Sequence, residues 1–113
     1  MRIQVNSDKT VDVNDGLKLA VKTHMKKSFD RYGDRVTRVE VHLSDLNGNR
    51  GGDMDKRCLL EVRPAGMDPL AVTHQAATVD DAWKGATRKM VRKLTTRFAK
   101  ATKPVADPAV ARA

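Results

Sequence analysis

Cys58, His24, His42 and His74 are the chain's only thiol and imidazole groups, so nucleophilic chemistry has to be assembled around them. A Cys-His nucleophile pair or a metal site would need Cys58, His42 and His74 to meet on neighbouring strands. Alternation along those strands sends His42 to the face opposite the other two, and no such site is expected. Cys58 sits beside Leu59 and Leu60 as an apolar filler of a strand, and His24 falls on the apolar stripe of a helix. Asp45, Asn47 and Asn49 have the alternation of a calcium loop, but Arg50 stands where the sharp turn requires glycine and Lys56 where the bidentate glutamate belongs. No glycine-rich phosphate loop follows a strand, and no carboxylate pair stands out. The sequence predicts no catalytic residue, no metal, no cofactor and no small-molecule substrate, and hence no enzyme.

The chemistry it does offer is electrostatic. From Trp83 onward come Lys84, Arg88, Lys89, Arg92, Lys93, Arg97, Lys100 and Lys103, with no acidic residue until Asp107. A helix kept soluble for its own sake mixes signs, whereas an unrelieved positive face is the footprint of a polyanion binder. Lys84 and Arg88, Arg88 and Arg92, Lys89 and Lys93, and Lys93 and Arg97 are like charges at four-residue spacing, each pair costing roughly 0.2 to 0.5 kcal/mol in a free helix. Together they cost on the order of 1 to 2 kcal/mol, partly offset where Arg97 and Lys100 meet the negative end of the helix dipole. Phosphates relieve that repulsion. Lys18, Lys22 and Lys26 stack on an earlier helix with Lys27 round the side, and side-by-side packing would merge the two cationic flanks. Gly85, placed on the polar side of its helix, is either a close-approach point for a backbone phosphate or a tolerated neutral glycine.

Trp83 and Phe98 fall on the apolar stripe, leaving no aromatic platform for stacking bases. Contacts should go to phosphate and sugar, which position a protein without reading sequence, and a structured RNA recognised by shape fits best. The formal net charge of +8 agrees. With 113 residues there is room for one domain. A lone cysteine cannot form an internal disulfide, residues 1 to 9 lack the apolar run of a signal peptide, and no stretch is long and apolar enough for a membrane span. A cytoplasmic location without membrane contact is expected.

These side chains need elements to carry them. Arg2 to Asn6 alternates as a first strand. Asn14 caps a helix over about 15 to 32 whose inward positions are Leu17, Ala20, Val21, His24, Met25 and Ser28, and Gly33 stops it. Val36 to Ser44 points Val39, Val41 and Leu43 inward and Arg38, Glu40 and His42 outward, and Arg57 to Arg63 repeats the pattern through Cys58, Leu60 and Val62. The Gly-, Asn- and Asp-rich stretch from Leu46 to Asp55 makes these a hairpin with a long mobile loop. Leu70 to Ala76 forms a fourth strand with Val72, His74 and Ala76 facing the core. Thr78 and Asp81 resemble a capping box for a second helix over about 79 to 100, with the stripe Val79, Trp83, Ala86, Met90, Leu94 and Phe98. The predicted fold class is α+β, a two-layer sandwich in the order β-α-β-β-β-α, its four-stranded sheet covered by two helices on one face. Residues 1 to 100 form the domain, and 101 to 113 read as a disordered tail.

The order of elements, with Arg38-Val39-Glu40-Val41-His42-Leu43, Asp55-Lys56-Arg57-Cys58, Ala71-Val72-Thr73-His74-Gln75-Ala76 and Lys89-Met90-Val91-Arg92-Lys93-Leu94, resembles the ribosome hibernation-promoting factor and ribosome-associated inhibitor A family of bacteria over about residues 1 to 100. The resemblance implies a domain lodged between ribosomal subunits on small-subunit rRNA, blocking translation and preserving idle ribosomes under stress. Lys89 and Arg92 look like basic positions of the family's last helix, Lys18 and Lys27 like those of its first. Lys22, Lys26, Lys84, Arg88, Lys93, Arg97 and Lys100 join them on charge alone. The loop from Leu46 to Asp55 is longer and richer in glycine than in short members, and His24 stands where the family pattern allows a cation. The long form's dimerisation domain is missing, so a monomer off the ribosome that does not itself pair two ribosomes is expected. The competing expectations are a general double-stranded-RNA module, which would want cations where Asp80 and Asp81 stand, a small thiol or metal enzyme, and an adaptor using the free sheet face.

Overall fold

The computed structural model describes residues 1–46 and 54–102. The positions Asn47, Asn49 and Arg50 of the calcium pattern, most of the long hairpin loop, and residues 103–113 of the expected tail lie outside the described residues. The elements are β1 (Arg2–Ser7), α1 (Asp15–Phe29), a 3-10 stretch (Asp30–Arg35), β2 (Val36–Asp45), β3 (Lys56–Pro64), β4 (Leu70–Ala76) and α2 (Val79–Thr102), the predicted order. The strands form one sheet in the order β1-β2-β3-β4, with β1 parallel to β2 and the other pairs antiparallel.

Register follows the apolar pattern, because a one-residue slip would turn every inward side chain to water. Val39 faces Val62, Val41 faces Leu60 and Leu43 faces Cys58 across β2 and β3, and all six are buried. In β4 the predicted parity holds, with Leu70 and Ala76 buried and Val72 and His74 half-buried. The same register puts Glu40 directly opposite Glu61 on the other, wet face.

The Asn14 side chain accepts from the Leu17 N–H at 2.8 Å and opens α1, which buries Val21, Met25 and Phe29. The helix ends earlier than its period suggested. After Phe29 the chain tightens into 3-10 geometry, as helix ends do to satisfy their last carbonyls, and Gly33 at φ 56° kinks this stretch before it ends at Arg35. The Thr78 side chain accepts from the Asp81 N–H at 3.0 Å to open α2, which extends two residues past the expected end and takes Ala101 and Thr102 from the expected tail.

Both helices bury their stripes in one core against the same sheet face. They run parallel and side by side. His24 meets Trp83 edge-on at 5.0 Å between ring centroids, the Thr87 hydroxyl reaches the Met25 sulfur at 3.5 Å, and the Tyr32 hydroxyl donates to the Val91 carbonyl at 3.2 Å. Successive residues of α1 and of the 3-10 stretch after it thus meet successive residues of α2 in the same sense.

Candidate nucleic-acid interface

At about 100° per residue, the contacts between helices fix which flank of each faces the seam. On α2 the arc from Trp83 through Thr87 and Val91 faces α1, and Lys84 lies just above it. Arg88 and Arg92 crown the helix, while Lys89, Lys93 and Lys100 descend toward the edge strand β4. All six are exposed. Arg97 is half-buried on the same side, where Lys89, Arg92, Lys93, Thr96, Arg97 and Lys100 line a shallow groove of about 350 Å³.

The α1 candidates divide. Lys27 lies on the seam side of His24, whose pKa is held below 6.5 first by burial and then by the positive charges of Lys84, Lys27 and Arg88. Those cations from two helices therefore surround one half-buried imidazole. Lys18, Lys22 and Lys26 occupy the flank of α1 turned away from α2, so the expected merger of both lysine sets is realised through Lys27 and not through the stack of three. Lys84 also stands 5.4 Å from the centroid of the Trp83 ring, within cation–π range.

Among the described residues, only one of the candidate cations joins an ion pair, Lys26 with Asp30 at 3.7 Å. The α2 cations have no carboxylate partner among the described residues. Two have another kind of anchor. The Lys89 ammonium donates to the Thr73 carbonyl at 2.9 Å and the Lys93 ammonium to the Ala71 carbonyl at 3.3 Å, both on the edge strand β4.

Gly85 requires a correction. It is buried, and a Cβ built on it would stand 2.1 Å from Cδ2 and 2.2 Å from Nε2 of His74. The sheet brings β4 up against the first turns of α2, so the missing side chain makes room for a histidine and no phosphate can approach there. Burial, then the charges of Lys89 and Arg88, also lower the His74 pKa, with Asp81 opposing them.

His42 does lie on the face opposite Cys58 and His74. Burial pushes the Cys58 thiol up to about 12, leaving almost no thiolate near neutral pH for nucleophilic work. Lys56 binds Asp55 at 2.8 Å and Asp45 at 3.1 Å, and these carboxylates raise its pKa.

The sequence passed over Arg31 and Arg35. The Arg35 guanidinium stacks 3.8 Å from the Phe98 ring centroid and that of Arg31 stands 6.0 Å from the Tyr32 ring, continuing the positive seam beyond α1. Arg31 follows Lys27 by four residues, a spacing that carries the signal for it.

A family model described as sigma 54 modulation protein / S30EA ribosomal protein matches residues 3–102. No curated protein matches the chain. Among solved structures, the fold is similar to the N-terminal domain of Thermus thermophilus Protein Y, with a TM-score of 0.68 at 22% identity over 87% of this chain and 99% of that one. It is also similar to a ribosomal subunit interface protein from Coxiella burnetii, with a TM-score of 0.69 at 15% identity over 88% and 99% of the respective chains. At such identities these likenesses speak for the fold. No helix among the described residues is long and apolar enough to cross a membrane.

Proposed function

Because this chain belongs to the sigma 54 modulation protein / S30EA ribosomal protein family, we propose that it is a cytoplasmic translation regulator that binds the ribosome through phosphates of small-subunit rRNA and holds idle ribosomes inactive under stress. The observation that carries this reading is the row of α2 cations without carboxylate partners among the described residues, continued across the seam by Lys27. The proposed contacts are Lys84, Arg88, Lys89, Arg92, Lys93, Arg97 and Lys100 from α2 with Lys27, while Lys18, Lys22 and Lys26 reach a separate stretch of backbone. Residues 1–100 act as one binding domain, monomeric off the ribosome.

Charge neutralisation of this kind releases counterions, so log affinity falls with log salt by roughly 0.7 to 0.9 per phosphate contacted. The experiment is co-sedimentation of the chain with small subunits over a salt series. The Lys89→Glu/Arg92→Glu protein is expected to lose binding, and binding unchanged by this double reversal rejects the assignment. A bare RNA duplex serves as competitor: preference for it over the ribosome would favour a general double-stranded-RNA module. That alternative is weakened by the carboxylates at the α2 start, where Asp80 accepts from the Trp83 indole N–H at 3.2 Å. Sucrose-gradient profiles of growing and starved cells test the stress role.

A further inference from the structure

The wet face of the sheet carries a cluster that the helical interface does not use. Glu40 and Glu61 are directly opposed on β2 and β3, an arrangement of like charges that destabilises a strand pair. His42, two residues from Glu40 on the same face, inserts its Nε2 between them, 3.4 Å from Glu40 Oε1 and 3.1 Å from Glu61 Oε1. That nitrogen is shielded from solvent, yet its direction to either oxygen makes no hydrogen bond. The His42 side chain is half-buried, and its shielded ring nitrogen, without a hydrogen bond and flanked by two facing carboxylates, can offer a lone pair beside their negative charge.

We propose that Glu40, His42 and Glu61 bind one divalent transition-metal ion, with Zn²⁺ as the ion that best fits their donor set. Each residue supplies one ligand atom, and all three atoms lie within 4.8 Å of one another. Zn²⁺ held tetrahedrally at about 2.0 to 2.2 Å from nitrogen and oxygen ligands needs them about 3.3 Å apart, close to the two His42 distances. An imidazole among the ligands selects against magnesium and calcium, which prefer oxygen alone. The support expected around a metal ligand is also present. The Arg38 guanidinium holds the other Glu40 oxygen at 2.6 Å and is itself steadied by the Gln4 side-chain oxygen at 3.3 Å, which turns Oε1 toward the site. With three protein ligands, the fourth position stays open to water or to a ligand from a partner.

The site lies on the sheet face away from both helices, so it stands or falls independently of ribosome binding. The test uses the full untagged chain, stripped with chelator and titrated with Zn²⁺ under equilibrium dialysis, with Co²⁺ as a spectroscopic stand-in. One equivalent is expected to bind, Co²⁺ should give the intense visible absorption of tetrahedral coordination, and Glu61→Gln and His42→Gln should each weaken binding at least tenfold. His24→Gln and Cys58→Ser should leave it unchanged. Glu61→Gln relieves the facing carboxylates, so its unliganded Tm should not fall below that of the parent. In the unmodified chain, saturation with Zn²⁺ should shift the His42 imidazole resonances and leave those of His24 and His74 in place. Absence of a one-equivalent phase, survival of binding in both ligand variants, or a shift confined to His24 or His74 overturns the proposal.

Discussion

Gly85→Ala sets two effects of opposite sign against each other in the middle of the α2–β4 contact. In a helix interior alanine is favoured over glycine by about 0.8 to 1.0 kcal/mol. Here the new methyl would sit 2.1, 2.2 and 2.7 Å from Cδ2, Nε2 and Cγ of His74, so the ring has to move off its packed position. Overfilling a packed contact typically costs about 1 to 3 kcal/mol. The sum is a net loss of about 0 to 2 kcal/mol in the parent chain. In a His74→Ala background the obstacle is gone, and Gly85→Ala should then stabilise by about 1 kcal/mol. Urea unfolding of the four proteins closes the cycle; the cost of removing the imidazole cancels, leaving a coupling of about 1 to 3 kcal/mol. Stabilisation of the parent by Gly85→Ala would show that the ring yields freely, and an equal loss in both backgrounds would show that something other than His74 occupies the space. Either result refutes the packing account. Co-sedimentation with small subunits should be unchanged in Gly85→Ala, because this buried position offers no surface to a phosphate.

Two further measurements probe the buried groups. His24 and His74 both have pKa values lowered from 6.5, chiefly by burial, so the unfolded chain takes up protons before the folded one does. Their contribution is intact above about pH 6.5 and declines as pH falls through the lowered folded values; a midpoint in urea that stays flat or rises between pH 7 and pH 5 would contradict this. Cys58, fully buried and raised to about 12, should resist a thiol reagent at neutral pH until the chain unfolds, and labelling at the rate of a free thiol in the native state would show the strand open.

Most of the fold is written in local periods. β2 and β3 could be drawn from the alternation of Val39, Val41, Leu43, Cys58, Leu60 and Val62, because burial on one face demands that pattern whatever lies above it. Helix ends were less legible: the tightening after Phe29 depends on how the chain must turn to enter β2 and bring Tyr32 against Val91. The site was readable as charge but not as place. A helical wheel orders Lys18, Lys22 and Lys26 around an axis without saying which flank faces a neighbour, and it takes contacts between the helices, such as His24–Trp83 and Met25–Thr87, to assign them to the far side. The same wheel turns Gly85 outward, because it ignores how a twisted sheet raises an edge strand toward one end of a helix. Glu40 and Glu61 are twenty-one residues apart in sequence, and nothing short of strand register makes them face each other.

The structure also separates the cations by how much freedom they would lose on binding. Lys18 and Lys22 form no ion pair among the described residues, and fixing such a side chain on a phosphate costs about 0.5 to 1.5 kcal/mol of rotamer freedom. Lys89 and Lys93 are already anchored, each donating one N–H to an edge carbonyl of β4. An ammonium has three donors, so both can keep the strand edge and still present N–H groups to a phosphate. The anchoring serves the fold as well, because an edge with lysines over its carbonyls resists pairing with a stray strand. A single pair of residues thus guards the sheet and pre-positions charge beside Arg92. Substituting them with arginine would keep the charge but change the reach, whereas alanine would remove both services at once, and this is why the charge reversal at Lys89 is paired with Arg92, whose side chain makes no such contact among the described residues.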